Sequence, residues 1–544
     1  MARRPRIRAL SVLLAAVLVT TFGTGRAMAA PTPPASSIPP PATASATIKP
    51  HTIAVTPEKV STQNPPQALP PTGKTTPRPQ HGAPAGYRDP DADLRLSPQR
   101  PQQIAPEPRV APGSTTSTSF DGMDATLAGG MPPDVSAAPG VNDIAETANE
   151  SMAIYSQTGT RQFHTTLQDW FRTAAGANIF DPHITFDPRG KRYAMVADDG
   201  SNLRLSVAQQ TAGTGVWCNY TFGALDASGH FADFPQIGVD SRYIYLTWLD
   251  YESPTSNKVT DSRLIAMPRG RAESCKNAST VYVWTKVRDP GTACLLCSED
   301  QLAFRVSPAV VYDDLDGYGW FADAYPDGGA HISVHYVDSG NILHSKQVSV
   351  PDYAKPDPAA QQGTTNVLDS GQPNFTGITK TGGEMYLAMV SKYDWGNGNV
   401  NSVVSWLQID AQAASIGLDK SGSFGYPGLW YFYPSTSGSS TAGYMQIFDY
   451  AVSGTSIYPS NAVASVDYTG TVTSNVYDAQ GTGPEAQWAD PNCGSNCYRW
   501  GDFTSVTPDP VPNVNLYWGG WTAGMYATAD SANPWRTRIT RSTE

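Results

Sequence analysis

Four aspartates, Asp134, Asp181, Asp233 and Asp502, stand at or just before short stretches that read alike, and each stretch has the pattern of a β-strand. Carboxyl groups placed this way have three uses. Two of them about 5–10 Å apart can hydrolyse a glycosidic bond, one as acid and the other as nucleophile or base. Oxygen ligands from several loops can instead hold Ca²⁺. An Asp before a Pro or at a strand entrance can also do no more than cap a turn with its side chain, which is the ordinary reading of any one of the four taken alone. Around them stand His183, Gln236, Arg305, Asn374, Tyr433, Ser435 and Arg499, polar groups flanking the same stretches and suited to contacting a ligand.

The elements that must position these residues repeat along the chain. The stretches are 133–137 (P-D-V-S-A), 182–186 (P-H-I-T-F), 235–239 (P-Q-I-G-V), 308–312 (P-A-V-V-Y), 373–377 (P-N-F-T-G), 434–438 (P-S-T-S-G) and 503–506 (F-T-S-V), six of the seven opening on Pro. A turn of Asp or Gly usually follows, then a second strand, usually with aromatics, at 243–248, 318–321, 385–390, 444–448 and 516–518. A third strand and, where a hairpin turn is visible, a fourth complete each unit. Starts lie about fifty to seventy residues apart, room for four short strands and a variable loop. Four antiparallel strands repeated seven times describe an all-β, seven-bladed β-propeller, in which radial closure leaves few exposed edges. A β-sandwich with accidental proline spacing is the alternative, and seven stretches of the same order argue against it.

Proline at the first residue of an innermost strand gives up no central ladder hydrogen bond and fixes the entry angle of the chain. The connections into the innermost strands then gather at one end of the central channel, which makes the residues beside each Pro the natural ligand set. His331 and His335 have an H-x-x-x-H spacing, but on one strand they lie about 13 Å apart at ~3.3 Å per residue, so one metal cannot bridge them; they read as a strand-face pair near solvent. No nucleophile elbow, phosphate loop or dinucleotide fingerprint occurs. Trp170, Trp395, Trp430, Trp488 and Trp521 fall in or near loops, where they could stack on sugar rings or pack between blades.

Composition bounds the partners. The 544 residues are 16% charged, with 48 Gly, 46 Pro and 26 Tyr, a turn-rich and strand-rich balance. Residues 1–30 carry Arg3, Arg4, Arg6 and Arg8, an apolar run over 9–22 and the small-residue site Ala27-Met28-Ala29, the pattern of an export signal; the run is shorter than the roughly 20 residues of a membrane span. Removing that signal takes away five Arg and no acid, moving the formal charge from -11 to -16. Such an acidic chain lacks the basic face that nucleic acid needs, so an extracellular glycan or protein is the expected partner, with no membrane span, no resident cofactor and a monomeric state. Residues 31–118 are rich in Pro, Ala, Thr and Ser with hardly any aromatic, which reads as a disordered linker, either a tether or a pro-region removed by proteolysis; 119–544 is the folded domain.

The six cysteines, Cys218, Cys275, Cys294, Cys297, Cys493 and Cys497, read as structural disulfides in an exported protein, with fifteen pairings open and Cys493 with Cys497 the preferred local pair. Cys294-Leu-Leu-Cys297 could suggest zinc or a redox motif, but a second close pair lies about two hundred residues on and no βαβ pattern surrounds it.

The chain resembles a family of secreted bacterial proteins with a sialidase-like propeller. The resemblance runs over roughly 120–539 and rests on Pro132-Pro133-Asp134 with Asn149 and Ile154-Tyr155, Asp181-Pro182 with Phe186-Asp187, Phe234-Pro235-Gln236-Ile237-Gly238-Val239-Asp240, Arg499-Trp500-Gly501-Asp502-Phe503 and Trp535-Arg536-Thr537-Arg538-Ile539. It implies the fold and export. Sialidases themselves carry repeated Asp boxes and an arginine triad; the chain has no intact Asp box, and Arg305, Arg499 and Arg536 are the arginines available to a triad. The expectation is a secreted propeller that binds an extracellular glycan at the channel mouth and could hydrolyse it, the alternative being an adhesion or protein-interaction module.

Overall fold

Short apolar runs bounded by Gly, Asp and Pro give strands through almost all of the described chain. In the computed structural model the described residues are 45–67, 89, 98–108, 118–130, 132–174, 177–223, 230–290, 302–313, 315–439, 445–490, 492–510 and 519–543. Among them helix is confined to three single turns, Ala125–Ala128, Leu167–Trp170 and Arg269–Ala272. None is long or apolar enough to cross a membrane.

The strands pair antiparallel in sets of four. The first set is Val135–Pro139, Asp143–Ala148, Ser151–Ser156 and Arg161–Thr166, and the second is Phe180–Asp187, Arg192–Asp198, Leu203–Ala208 and Val216–Phe222. The third runs Phe231–Val239, Tyr243–Tyr251, Val259–Pro268, Ala278–Trp284; the fourth Ser307–Val311, Gly319–Ala324, Gly328–Val337, Leu343–Ala354. A fifth follows in Ile378–Thr381, Glu384–Asp394, Val400–Asp410 and Gly417–Gly425, and a sixth in Leu429–Ser439, Met445–Gly454, Ile457–Val466 and Val472–Ala479. The last set is made from both ends of the domain: Ser505–Pro508, Gly519–Ala527 and Trp535–Thr543 are completed by Ser119–Asp124, which pairs with Trp535–Thr543.

Each set packs on its neighbours. Val135–Pro139, Asp143–Ala148 and Phe180–Asp187 are buried at every position, as strands covered on both faces must be. Aromatics fill the spaces, with Trp170, Trp217, Trp284, Trp320, Trp406, Trp500 and Trp535 wholly buried. Trp170 stands edge-on to Trp217 and donates its indole N–H to Ser206 at 2.9 Å, so with Trp521 at 3% exposure it belongs to the packing and not to a sugar platform. The turn of the hairpin in the second set is tied by Asp187, whose carboxylate accepts from the amides of Arg189 and Gly190 and pairs with Arg269 at 2.7 Å.

Four expectations change. The Pro is not the first residue of the inner strand in the first set, where the strand starts after Pro133 at Val135, or in the fourth, where it starts before Pro308 at Ser307. In the second, third and sixth sets the strand also starts ahead of the Pro, and the register slips between Phe180 and His183, between Asp233 and Gln236, and between Phe432 and Ser435. Each slip spans an X-Pro pair, because Pro has no N–H to give the ladder and the chain bulges there. In the fifth set the inner strand is Ile378–Thr381, beginning after the proposed 373–377, with Gly377 at φ +72° turning the chain into it. The second strand of the last set is Gly519–Ala527, residues 516–518 lying outside the described residues.

The last change concerns 31–118. Where a disordered linker was expected, Ser45–Ile48, His51–Val55, Glu58–Ser61, Gln102–Gln103 and Glu107–Pro108 are strands on the outer edges of the fourth, third, second, fifth and sixth sets respectively. A strand at a sheet edge is held by its backbone, so a segment poor in apolar side chains can be ordered there; Val55 and Val60 supply what little burial it needs.

Disulfides join Cys218 to Cys275 and Cys493 to Cys497, the second as expected from its spacing. Cys218–Cys275 ties the outer strand of the second set to the loop after Arg269–Ala272 of the third. Cys294 and Cys297 lie outside the described residues.

Candidate functional site

The bulges decide where the candidate residues go. Asp134, Asp181, Phe234, Arg305 and Tyr433 all have left-handed backbones, with φ of 44°, 50°, 58°, 55° and 51°. Non-glycine residues there cost roughly 1–3 kcal/mol each and collect where geometry matters more than local stability. Asp134 and Arg305 stand just ahead of inner strands, and Asp181, Phe234 and Tyr433 sit within them at the register slips.

One cavity has a volume of about 250 Å³. Arg305, Arg499 and Asp502 from the expected set line it, together with Asp369, Asp490, Gln372, Asn257, Asn492 and Lys355. A smaller space of about 50 Å³ is lined by inner-strand residues, among them His183, Gln236, Tyr312, Thr379 and Thr504. Asp134, Asp181 and Asp233 line neither; they are 2%, 9% and 4% exposed. Three of the four aspartates expected at the site are therefore packed inside the protein.

Of the four expected aspartates, Asp502 faces the cavity. It pairs with Arg499 at 2.5 Å, and its backbone N–H donates to the Asp134 carboxylate at 2.7 Å. Burial pushes the Asp134 carboxyl up to about 7, with the Asp502 charge adding to the rise and Arg499 opposing it. Asp181 is also raised, by burial first and then by Asp233, Asp134 and Asp502. The sequence did not single out Asp198, which is wholly buried opposite Phe180; burial, Asp233 and Asp181 raise its carboxyl too. So the backbone amide of Asp502 donates to a carboxyl that burial raises to about 7, beside the Arg499–Asp502 ion pair at the cavity wall.

The other candidates fall into place around it. Arg305, 7% exposed, lies with its guanidinium 3.8 Å over the Phe234 ring and reaches the cavity wall. Tyr433 is buried and donates to Asp369, at 3.1 Å to its carbonyl and 3.2 Å to its carboxylate. His183 bonds Gln236 at 2.7 Å and stacks on Phe503 with ring centroids 3.9 Å apart; burial lowers its pKa to about 3, so it is neutral. Ser435 is wholly buried and donates to the Thr376 carbonyl, a structural role. Asn374 is half-buried and not on the cavity wall, where Gln372 stands instead. Arg536 pairs with Asp121 on the closing strand and joins neither Arg305 nor Arg499, so the three do not form a triad.

Asp369 and Asp490 are what the sequence reading missed. They come from the long connections before the fifth and last sets, Asp369 four residues ahead of Pro373 and Asp490 well ahead of 503–506. Their sequence signal is a turn: Asp369 accepts from the Gly371 amide at 3.2 Å and Asp490 from the Asn492 amide at 2.8 Å. Burial raises the Asp369 carboxyl, helped by Asp490 and Asp502. Among the described residues, three potential metal-ligating groups converge at two places: Asp369, Asp490 and Cys493, and Asp289, Asp323 and His335. The Cys493 sulfur is spent in its disulfide. Asp134, Asp181, Asp233 and Asp502 are in neither group. His331 and His335 part company as expected for a metal, but not for exposure: His331 meets Asp89 at 2.8 Å, whereas His335 is wholly buried between Asp323 and Ser345.

No protein-family model matches the chain, and no curated protein matches it in sequence. Solved structures do. The chain is similar to a Penicillium chrysogenum α-L-arabinanase complexed with arabinobiose, at 10% identity and a TM-score of 0.36, over 79% of this chain and 99% of that one. It is similar to a Trypanosoma rangeli sialidase in complex with the inhibitor DANA, at 10% identity and a TM-score of 0.34, over 79% of this chain but 60% of the sialidase. An endo-arabinase from Bacteroides thetaiotaomicron matches at 11% identity and a TM-score of 0.26, over 66% of this chain and 92% of that one.

Proposed function

We propose that the protein is a seven-bladed β-propeller, exported from the cell, that binds an extracellular glycan in the cavity at the channel mouth and hydrolyses it there. Each four-stranded antiparallel set is one blade, and Ser119–Asp124 closes the ring by supplying the outer strand of the last. Export agrees with the two disulfides and with the signal-like residues 1–30.

One observation carries the reading: on the wall of a 250 Å³ cavity Asp502 is ion-paired to Arg499, and its backbone N–H donates to the Asp134 carboxyl, which burial raises to about 7. Asp502 serves as the carboxylate and Asp134 as the neighbouring proton store, while Asn257, Gln372 and Asn492 offer amides to sugar hydroxyls. Asp181 and Asp233 shape the charge behind them.

A second reading, a propeller that binds a glycan or protein without turning it over, is favoured by the depth of Asp134, Asp181 and Asp233. A panel of polysaccharides assayed for new reducing ends separates the two. Hydrolysis predicts turnover by the native protein that falls about 10²–10⁴-fold in Asp134→Asn and Asp502→Asn. Binding by calorimetry with no turnover on any substrate selects the second reading.

A further inference from the structure

The segment ahead of the domain lies along the outside of the fold in a regular way. Ser45–Ile48 pairs with Leu343–Ala354 of the fourth set, His51–Val55 with Ala278–Trp284 of the third, and Glu58–Ser61 with Val216–Phe222 of the second. Only Lys49-Pro50 and Thr56-Pro57 join the three strands, so the chain steps from one outer edge to the next in two residues. Proline at each corner withholds a donor where no ladder continues. At the end of the run Thr62 locks the register, its amide donating to the Gly215 carbonyl at 2.9 Å and its hydroxyl accepting from the Gly215 amide at 2.7 Å. Val55 joins the core of the second and third sets, and Val60 that of the first and second.

None of 45–67 lines the cavity at the channel mouth. What the segment covers is backbone: three outer strands that would otherwise present rows of free N–H and C=O groups. The side chains of Val216–Phe222 and Ala278–Trp284 would do little to deter another strand. Val281 and Val283 are buried beneath His51–Val55, and the exposed Val216 lies at the edge that Glu58–Ser61 occupies.

We propose that residues 45–61 are an intramolecular strand donor, which shields three outer edges from pairing with another copy of the chain and stays in place when the chain is cut behind it. The donor commits to a cis arrangement: two-residue corners fit steps between adjacent edges of one molecule, and the ion pair of Glu58 with Arg172 at 2.7 Å lies on the same path. Cleavage after this segment would therefore nick the protein without stripping it.

The test inserts a specific protease site between Gln67 and Ala68 in the otherwise native chain. After cleavage, the fragment ending at Gln67 co-elutes with the domain in gel filtration, and Val216–Phe222, Ala278–Trp284 and Leu343–Ala354 keep their hydrogen-exchange protection. Ile53→Pro with Val60→Asp in the same cleavable chain releases the fragment, and the stripped domain elutes as dimers or larger at tens of micromolar protein. Adding a synthetic peptide of residues 43–67 returns it to monomer. Release of the native fragment on cleavage overturns the proposal. So does a stripped domain that stays monomeric with its exchange protection unchanged.

Discussion

Asp134 holds its proton because it is buried, and that fixes a sign. A carboxyl raised from 3.8 to about 7 on folding binds a proton in the folded state that the unfolded chain has already lost. Its contribution is therefore fully present below about pH 4 and is lost as pH rises towards 7. Glu146, wholly buried and also raised to about 7 by burial, acts in the same direction. Thermal unfolding should show stability falling between pH 4 and pH 7, less steeply in Asp134→Asn, which cannot titrate. Equal slopes in the two proteins would remove Asp134 as a proton store. At this scale Asp502, Arg499 and Arg305 were legible because each stands within a few residues of a repeated strand entrance. Asp369 and Asp490 were not, since a turn-capping Asp in a long connection looks like any other. Nor could the sequence tell that Asp181 and Asp233 would be buried while Asp502 faced the cavity, because neighbouring sets decide that.

The inner strands carry the device that aims these side chains. X-Pro pairs at a bulge leave the residue before Pro in a left-handed conformation, as at Asp181 and Tyr433. Glycine adopts it freely and a β-branched residue does not, so Asp181→Val should be about 1–3 kcal/mol less stable than Asp181→Gly in denaturant unfolding. Similar stabilities would mean that the backbone there is not strained. The repeated prolines were visible in the sequence, but the bulge was not, since it depends on the register of the partner strand. The Cys218–Cys275 bond acts between elements, clasping the second set to the third. Replacing both residues with Ser should cost about 2–4 kcal/mol. An unchanged unfolding midpoint would make that bond dispensable.

Across the whole molecule, the two ends of the domain meet in the last set. Ser119–Asp124 lies against Trp535–Thr543, and the buried Glu146 of the first set accepts from the Met123 amide and from the Thr537 hydroxyl. Gly122 has no Cβ because the Glu146 carboxylate fills that space. Glu146→Leu removes the acceptor and leaves the Met123 amide buried without it, so it should destabilise by about 1–3 kcal/mol, whereas Glu146→Gln keeps an acceptor and should cost less. An all-β repeat and the order of its units were legible from alternation, turns and proline. The closing strand and the outer strands at 45–61 were not, because edge pairing is made by backbone groups that every sequence carries.

The proposed chemistry puts its working carboxylate at Asp502. The most direct measurement is release of reducing ends from a polysaccharide panel by the native protein and by Asp502→Asn, with folding of the variant checked by thermal unfolding. The account predicts at least one substrate turned over by the native protein and a loss of about 10²-fold or more in a folded variant. A folded Asp502→Asn protein as active as the native one would contradict it, as would a native protein that turns over nothing in the panel.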